Sequence, residues 1–162
     1  MNVMMVYDRQ DYTLDMELVE KFSVRAIIRK NGKIAAQRGS RGDYKILGGG
    51  IDPGETWEEA LQREVLEEAG LFVRPETIQE YGEVLEKRKD LFDDRKIFCC
   101  HSLYFFCEIE DRQVEPQMTE SEKAKGYQLV WVSPEELIAG NQNFLQEAWI
   151  YRDTEVIKKL LD

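Results

Sequence analysis

Three glutamates in the middle of the chain have the residue type and the spacing to bind a divalent cation. Glu64, Glu67 and Glu68 are three and four residues apart, which on a helix places their carboxylates on one strip of surface. Like charges at this spacing destabilise a helix by about 0.2–0.5 kcal/mol per pair. A bound cation removes this penalty, and hard oxygen ligands favour Mg²⁺, with Mn²⁺ as a substitute. Taken alone, the three glutamates fit a solvated helix face better than a metal site.

The flanking residues predict the helix that carries this strip. Thr56 and Glu59 form a capping-box pattern, so the helix is expected to begin at Trp57. A turn sequence at 52–54 precedes it, and Gly70 stands where a helix end requires a left-handed residue. Four apolar residues form the arc that should face the core, beside the glutamate arc: Leu61, Val65, Leu66 and Ala69.

The residues around the strip follow a more specific pattern than a charged helix requires. Its nine positions are Gly49, Glu55, Arg63, Glu64, the apolar Val65, Glu67, Glu68, Gly70 and the apolar Leu71. This pattern resembles the signature of the Nudix hydrolase family and matches it at every specified position; we call residues 49–71 the Nudix box. The resemblance implies an α/β fold, a Nudix-type α/β/α sandwich with a mixed β-sheet between helices and a loop–helix–loop box. That fold would account for a single domain over residues 1–162.

The resemblance also implies roles for residues of the box. Arg63 is expected to pair with Glu55 and to hold the loop against the helix, an orienting role within the catalytic set. The expected metal ligands are the carboxylates of Glu64, Glu67 and Glu68 and the carbonyl oxygen of Gly48.

The general base is not fixed by the resemblance. Glu67 and Glu68 are candidates within the box, but some relatives use a glutamate outside it. Here Glu120 and Glu122, in a charged segment that the sequence predicts to be a loop, are the candidates for an additional base or ligand. Solvated loop charges are an equally good interpretation of both.

Three residues are candidates for substrate binding. Arg38 matches a position where relatives place a cation that binds phosphate, and Lys45 is a weaker candidate for the same role. Trp57 could stack on a base, although a hydrophobic contact at the helix start explains it better. The prospects of Tyr44 are similarly divided.

The resemblance implies Mg²⁺-dependent hydrolysis of a nucleoside diphosphate linked to another moiety. Within that class we favour a (deoxy)nucleoside triphosphate pyrophosphohydrolase, with oxidised nucleotides among its candidate substrates. An ADP-ribose or nucleotide-sugar pyrophosphatase is the alternative. A non-catalytic Nudix fold that senses a nucleotide is an alternative of another class. A homodimer is expected from family habit alone.

Composition limits the partners. The net charge of −10 argues against binding to nucleic-acid polymers, which requires a basic patch, but it allows a small phosphorylated substrate if a metal neutralises the contact. No apolar run reaches the 18 or so residues of a membrane span, so no membrane partner is expected. The first residues lack the layout of a secretory signal, and we expect a cytoplasmic protein.

The cysteines and the single histidine lie in one apolar stretch. Cys99, Cys100 and Cys107 form no CxxC pair and are expected to be buried, reduced thiols. His101 has no second histidine to share a metal with, which favours a role in the core or on a sheet face.

Hydrophobic periodicity predicts the remaining elements. Residues 1–20 carry no usable motif, and 97–109 reads as one strand buried on both faces. Strands are predicted at 22–29, 33–38, 44–47, 71–74, 81–88, 97–109 and 126–132, charged or polar loops at 39–43, 89–96 and 111–125, and further helices from Ser133 and over 143–161.

Overall fold

A computed structural model describes all 162 residues, which form ten strands and four α-helices. Short 3₁₀ turns lie at Pro75–Thr77 and Gln142–Phe144. The strands are β1 Val3–Asp8, β2 Glu17–Ile27, β3 Arg29–Lys30, β4 Lys33–Arg38, β5 Tyr44–Gly50, β6 Leu71–Val73, β7 Gln79–Lys89, β8 Lys96–Phe106, β9 Ile109–Gln113 and β10 Gln128–Val132. The helices are α1 Trp57–Ala69, α2 Glu120–Ala124, α3 Pro134–Asn141 and α4 Ala148–Lys159.

The main sheet is mixed, as predicted. Its strand order is β1-β7-β8-β2-β5-β4-β10, with β3 paired to β4 as a hairpin. The β1/β7 and β2/β8 pairs are parallel, and the other neighbours are antiparallel. Strands β6 and β9 form a separate two-stranded sheet.

Helices cover both faces of the main sheet. Consecutive strand residues point to opposite faces, so Leu47 and Phe105 meet α1 while Ile46 and Tyr104 meet α3 and α4. On the α1 side the helix contributes Ala60, Leu61, Val65 and Ala69 to the core. On the other side the helices contribute Leu137, Val156 and Ile157. The predicted α/β/α layering is confirmed.

Helix α1 begins and ends as its sequence predicts. The side chain of Thr56 accepts a hydrogen bond from Glu59 N at 3.1 Å. Gly70 has a left-handed φ of 68°, and a Cβ added there would lie 1.8 Å from Val114 O. Any other residue at position 70 would therefore push away the segment that follows β9.

The prediction for residues 97–125 is partly wrong. The predicted strand 97–109 corresponds to β8, which ends at Phe106; after Cys107 and Glu108 the chain begins β9, most of which lies in the predicted loop. The predicted loop 111–125 contains the end of β9 and helix α2, which Thr119 and Glu122 start with a capping box. A five-residue helix is too short to show a helical period, and β9 depends on pairing with the distant β6.

The two ends of the chain also differ from their predictions. Strand β1 and the start of β2 lie within residues 1–20, where no motif is visible, and β1 is an edge strand held by β7. The predicted last helix is shorter, because a 3₁₀ turn precedes α4. The three cysteines are free and buried, as predicted. No helix has both the length and the apolar character needed to cross a bilayer.

Candidate active site

Arg63 fixes the loop of the Nudix box against α1. Its Nε lies 2.6 Å from Glu55 Oε2 and its Nη2 lies 2.9 Å from Glu55 Oε1, a two-pronged ion pair. The same Nη2 donates to Gly50 O at 3.0 Å. This ion pair lowers the pKa of Glu55 and raises that of Arg63. The geometry is the one expected for the orienting pair.

Arg63 also contacts two of the candidate metal ligands. Its Nη1 lies 2.9 Å from Glu64 Oε1 and 3.4 Å from Glu67 Oε2. Burial raises the pKa of Glu64 although Arg63 opposes the shift. A Cβ added to Gly49 would lie 2.5 Å from Glu64 Oε1, so the glycine brings the end of β5 directly against this carboxylate.

Glu68 is the most buried of the three glutamates, with 3% of its surface exposed. Its Oε1 accepts a hydrogen bond from Gly48 N at 2.7 Å, and its Oε2 lies 2.9 Å from Lys45 Nζ. Burial raises the pKa of Glu68 to about 7, although Lys45 opposes the shift. The carbonyl oxygen of Gly48, a predicted ligand, accepts from Arg25 Nη1 at 3.0 Å and retains a second lone pair.

Of the two glutamates considered outside the box, only Glu122 reaches this region. Its Oε2 lies 3.9 Å from Lys45 Nζ, and this buried oxygen has no hydrogen-bond partner. Burial alone would raise the pKa of Glu122, but its interactions with Glu68 and Thr119 lower it overall. Glu120 is exposed and pairs with Lys123 at 3.4 Å.

The side chains around Lys45 fit a divalent cation. Glu64, Glu67 and Glu68 do not by themselves bring three oxygens within 4.8 Å of one another, because Arg63 holds two of them and Lys45 the third. Glu68 and Glu122 nevertheless face a single ammonium group, and one of their buried oxygens is unpartnered. Their oxygen-only donor set is of the kind that suits Mg²⁺ once the Lys45 ammonium has moved away.

The structure places the three predicted substrate residues in different settings. Arg38 is exposed at the end of β4. Lys45 is engaged by Glu68. Trp57 stacks on Phe105, with ring centroids 4.5 Å apart and planes at 7°, and packs against the α1-side core. This contact favours the packing interpretation of Trp57, and the other two roles stay predictions. Tyr44 packs partly against the opposite core.

A cavity that sequence reasoning missed lies beside Lys45. It has a volume of about 320 Å³ and is lined by residues of three separate segments: Ser40, Arg41, Asp43, Lys125, Tyr127, Glu147 and Trp149. Its lining residue Tyr127 connects it to the Nudix box, since the Tyr127 ring lies 5.6 Å from Lys45 Nζ, although Lys45, Glu68 and Glu122 do not line the cavity themselves. No local sequence pattern predicts this cavity, because the loop after β4, the end of α2 and the start of α4 come together only in the folded protein.

Two named relatives are similar to this chain in sequence. The chain is 36% identical over 111 residues to nucleoside triphosphatase NudI of Escherichia coli K12, covering 65% of this chain and 73% of that protein. It is 56% identical over 43 residues to human 8-oxo-dGDP phosphatase NUDT18, covering 26% of this chain and 13% of that protein.

One solved structure shares the fold of this chain, and one family model matches its sequence. A Nudix hydrolase from Nitrosomonas europaea superposes with a TM-score of 0.59 at 20% identity, covering 85% of this chain and 87% of that one, which shows a shared fold. The model of the NUDIX domain matches residues 20–153. The chain therefore belongs to the Nudix family.

Proposed function

We propose that this protein is a Mg²⁺-dependent pyrophosphohydrolase that acts on a (deoxy)nucleoside triphosphate, with Mn²⁺ as a substitute metal. The observation that carries the proposal is the buried carboxylate of Glu68 and the part-buried carboxylate of Glu122 around the Lys45 ammonium group, with no hydrogen-bond partner for Glu122 Oε2. The complete Nudix box next to it supplies the remaining ligands.

Glu64, Glu68 and Glu122 would hold the metal, with Gly48 O as a further ligand. When bound, the metal neutralises the diphosphate, polarises a phosphoryl oxygen and lowers the pKa of the attacking water. Glu67, whose carboxylate is the most exposed of the three in the box at 43%, would accept the water's proton. A new bond forms between the water oxygen and phosphorus as the anhydride P–O bond breaks, which gives a monophosphate and pyrophosphate.

Lys45 would exchange its partner during this cycle. It neutralises Glu68 in the metal-free protein, at 2.9 Å, and must leave when a divalent ion takes its place. Its ammonium is then free to contact a phosphate, the role predicted from the sequence. Arg38, exposed at the end of the neighbouring strand β4, would add a second phosphate contact.

The cavity beside Lys45 would receive the nucleoside. Trp149 and Tyr127 give it aromatic walls on which a base can stack, and Arg41 and Lys125 add donors. Relatives named as a nucleoside triphosphatase and an 8-oxo-dGDP phosphatase favour nucleotides, including oxidised ones, over nucleotide sugars and ADP-ribose. A cytoplasmic location also belongs to the proposal and is supported by three free cysteines.

A turnover screen tests the proposal. The protein is incubated with canonical and 8-oxo nucleoside triphosphates and diphosphates, ADP-ribose and a nucleotide sugar, with Mg²⁺ or with a chelator. We expect release of a nucleoside monophosphate and pyrophosphate from a triphosphate, only with metal. Preferred turnover of ADP-ribose or of the nucleotide sugar would assign the protein to the alternative class, an ADP-ribose or nucleotide-sugar pyrophosphatase. Nucleotide binding without turnover would identify a non-catalytic sensor.

A further inference from the structure

A group of side chains with metal-ligand donor atoms lies on the sheet, apart from the Nudix box. Glu20 of β2 and Cys99 and His101 of β8 each bring one ligand atom within 4.8 Å of the other two. No other three His, Cys, Asp or Glu side chains meet this condition. Glu20 and Cys99 are direct neighbours in the parallel β2/β8 register. Along β2, Glu20 lies about 16 Å from Arg25, whose side chain contacts Gly48 O next to the Nudix box. The two groups are therefore separate sites.

The His101 ring is held in the orientation that a metal ligand needs. Its Nδ1 bonds to the Glu83 carboxylate, and Phe22 stacks on its face with ring centroids 4.3 Å apart and planes at 9°. With Nδ1–H donated to Glu83, the lone pair of Nε2 points toward Glu20 and Cys99. A carboxylate on the far nitrogen of a ligand histidine fixes the tautomer and raises the basicity of the ring.

Two of the three distances between donor atoms are close to those around a tetrahedral zinc ion, and the third, from Glu20 to Cys99, is within 4.8 Å. His101 Nε2 lies 3.3 Å from Glu20 Oε1 and 3.8 Å from Cys99 Sγ. Zinc bonds of about 2.0 Å to nitrogen and oxygen and about 2.3 Å to sulfur, at tetrahedral angles, separate N from O by about 3.3 Å and N from S by about 3.5 Å. A small movement of Cys99 completes the arrangement.

We propose that Glu20, Cys99 and His101 form a Zn²⁺ site, with water as the fourth ligand and Glu83 as the positioning residue. The thiolate and imidazole donors select a borderline metal such as zinc, whereas the oxygen-only box suits Mg²⁺. Glu20 is half exposed, at 49%, and His101 is 18% exposed, so solvent and the ion can reach the site.

The site is more than a surface ion pair because of Cys99. A histidine between two glutamates needs no metal, but the buried Cys99 thiol, 3.8 Å from Nε2, makes only a weak hydrogen bond there and adds the soft donor that zinc prefers. Cys100 provides the matched control. It is equally reduced but lies on the opposite face, with its Sγ 3.9 Å from Ser102 Oγ.

The test measures zinc binding to the reduced protein in saturating Mg²⁺, by competition with a chromophoric chelator. We expect one Zn²⁺ equivalent in the wild type and in Cys100→Ser, and its loss in Cys99→Ser and His101→Gln. Glu83→Gln should weaken binding about 10–100-fold, because the histidine loses its orienting carboxylate. Co²⁺ should give a thiolate charge-transfer band in the wild type and Cys100→Ser but not in Cys99→Ser.

Two further variants keep the result decisive. Glu20→Gln changes a half-exposed side chain, so the protein should fold normally and bind zinc more weakly even if Cys99→Ser is unstable. Glu64→Gln, in the box, should leave zinc binding unchanged. No zinc equivalent in the wild type, or equal binding by Cys99→Ser and Cys100→Ser, would overturn the proposal.

Discussion

The two faces of the main sheet carry charged groups in opposite balance. On the α1 face, only two cations, Lys45 and Arg63, form ion pairs with five glutamates: Glu55, Glu64, Glu67, Glu68 and Glu122. On the α4 face, one fully buried carboxylate, Asp153, accepts hydrogen bonds from Ile46 N at 2.9 Å, from Arg152 Nε at 3.1 Å and from the Tyr104 hydroxyl. The first region has surplus negative charge, and the second has none.

This difference separates a binding site from a structural network. Both regions contain buried charges, so burial alone does not identify function. A buried carboxylate whose partners are complete holds elements together, here α4 to β5 and β8. The carboxylate oxygen Glu122 Oε2 has no hydrogen-bond partner and lies 3.9 Å from Lys45 Nζ, so it can accept a further donor or a cation. Arg25 adjoins both regions, since it contacts Gly48 O and its charge lowers the pKa of Asp153.

The largest expected effect is the loss of activity in Glu68→Gln. The variant removes a metal ligand while keeping the side-chain shape and an oxygen for Gly48 N. We expect kcat to fall at least about 10²-fold, equivalent to about 3 kcal/mol of transition-state stabilisation, with stability little changed. Steady-state kinetics and urea unfolding measure both. Glu58→Gln, an exposed change on the same helix, should be neutral. If Glu68→Gln unfolds the protein but its remaining folded fraction is fully active, Glu68 belongs with the structural charges.

Asp153→Ala should have the opposite effect to Glu68→Gln: its main consequence is a lower free energy of unfolding and not a loss of kcat. It leaves the buried Arg152 without its carboxylate, which costs about 3–5 kcal/mol of unfolding free energy. Urea unfolding should show this, whereas Asp94→Ala, on an exposed loop, should change stability by about 0.5 kcal/mol or less. A neutral Asp153→Ala would remove the contrast between the two faces.

The structural network should also give the protein an acid limit. Burial alone would raise the pKa of Asp153, but Arg152 and Arg25 outweigh it and lower that pKa. A carboxylate with a lowered pKa stabilises the fold above its unfolded value of about 3.9 and loses this contribution as the pH falls below it. Urea midpoints of the metal-free protein between pH 2 and 6 should therefore fall more steeply in the wild type than in Asp153→Asn. Equal slopes would show that Asp153 does not titrate in this range.

Lys45→Met sharpens the binding side of the comparison. The ammonium that competes with a divalent ion for Glu68 is removed, and a charge-assisted hydrogen bond is worth about 1.5 kcal/mol or more. We expect Mg²⁺ to bind about tenfold more tightly by calorimetry, while KM for the nucleotide rises. Weaker Mg²⁺ binding would mean that Lys45 supports the metal site and does not compete with it.

The smallest expected effect concerns the cavity. Trp149→Ala removes an aromatic wall and should raise KM about fivefold, about 1 kcal/mol, with kcat unchanged. Phe92→Ala removes an aromatic side chain that is 98% exposed and should leave KM unchanged. An unchanged KM in Trp149→Ala would place the base elsewhere.

The box was predictable from the sequence because its interactions are local. Arg63 and Glu55 are eight residues apart, and Thr56 and Gly70 mark the helix ends, so spacing alone indicates their contacts. Residues 111–125 were not predictable in the same way. The charge of Glu122 is visible in the sequence, but its helix has five residues, and its contact with Lys45 depends on packing.

The sequence by itself determined the family, the helix of the Nudix box and the Arg63–Glu55 ion pair that holds the loop against it. It also determined the pattern of apolar strand residues that buries both faces of the sheet. Only the tertiary structure decided that Glu68 pairs with Lys45, that Glu122 from outside the Nudix box lies near the same ammonium group, and where the cavity lies. It also brought His101 to Glu20, 81 residues earlier in the chain. Strand register and helix docking create these contacts, and both are set by the energy of the whole core.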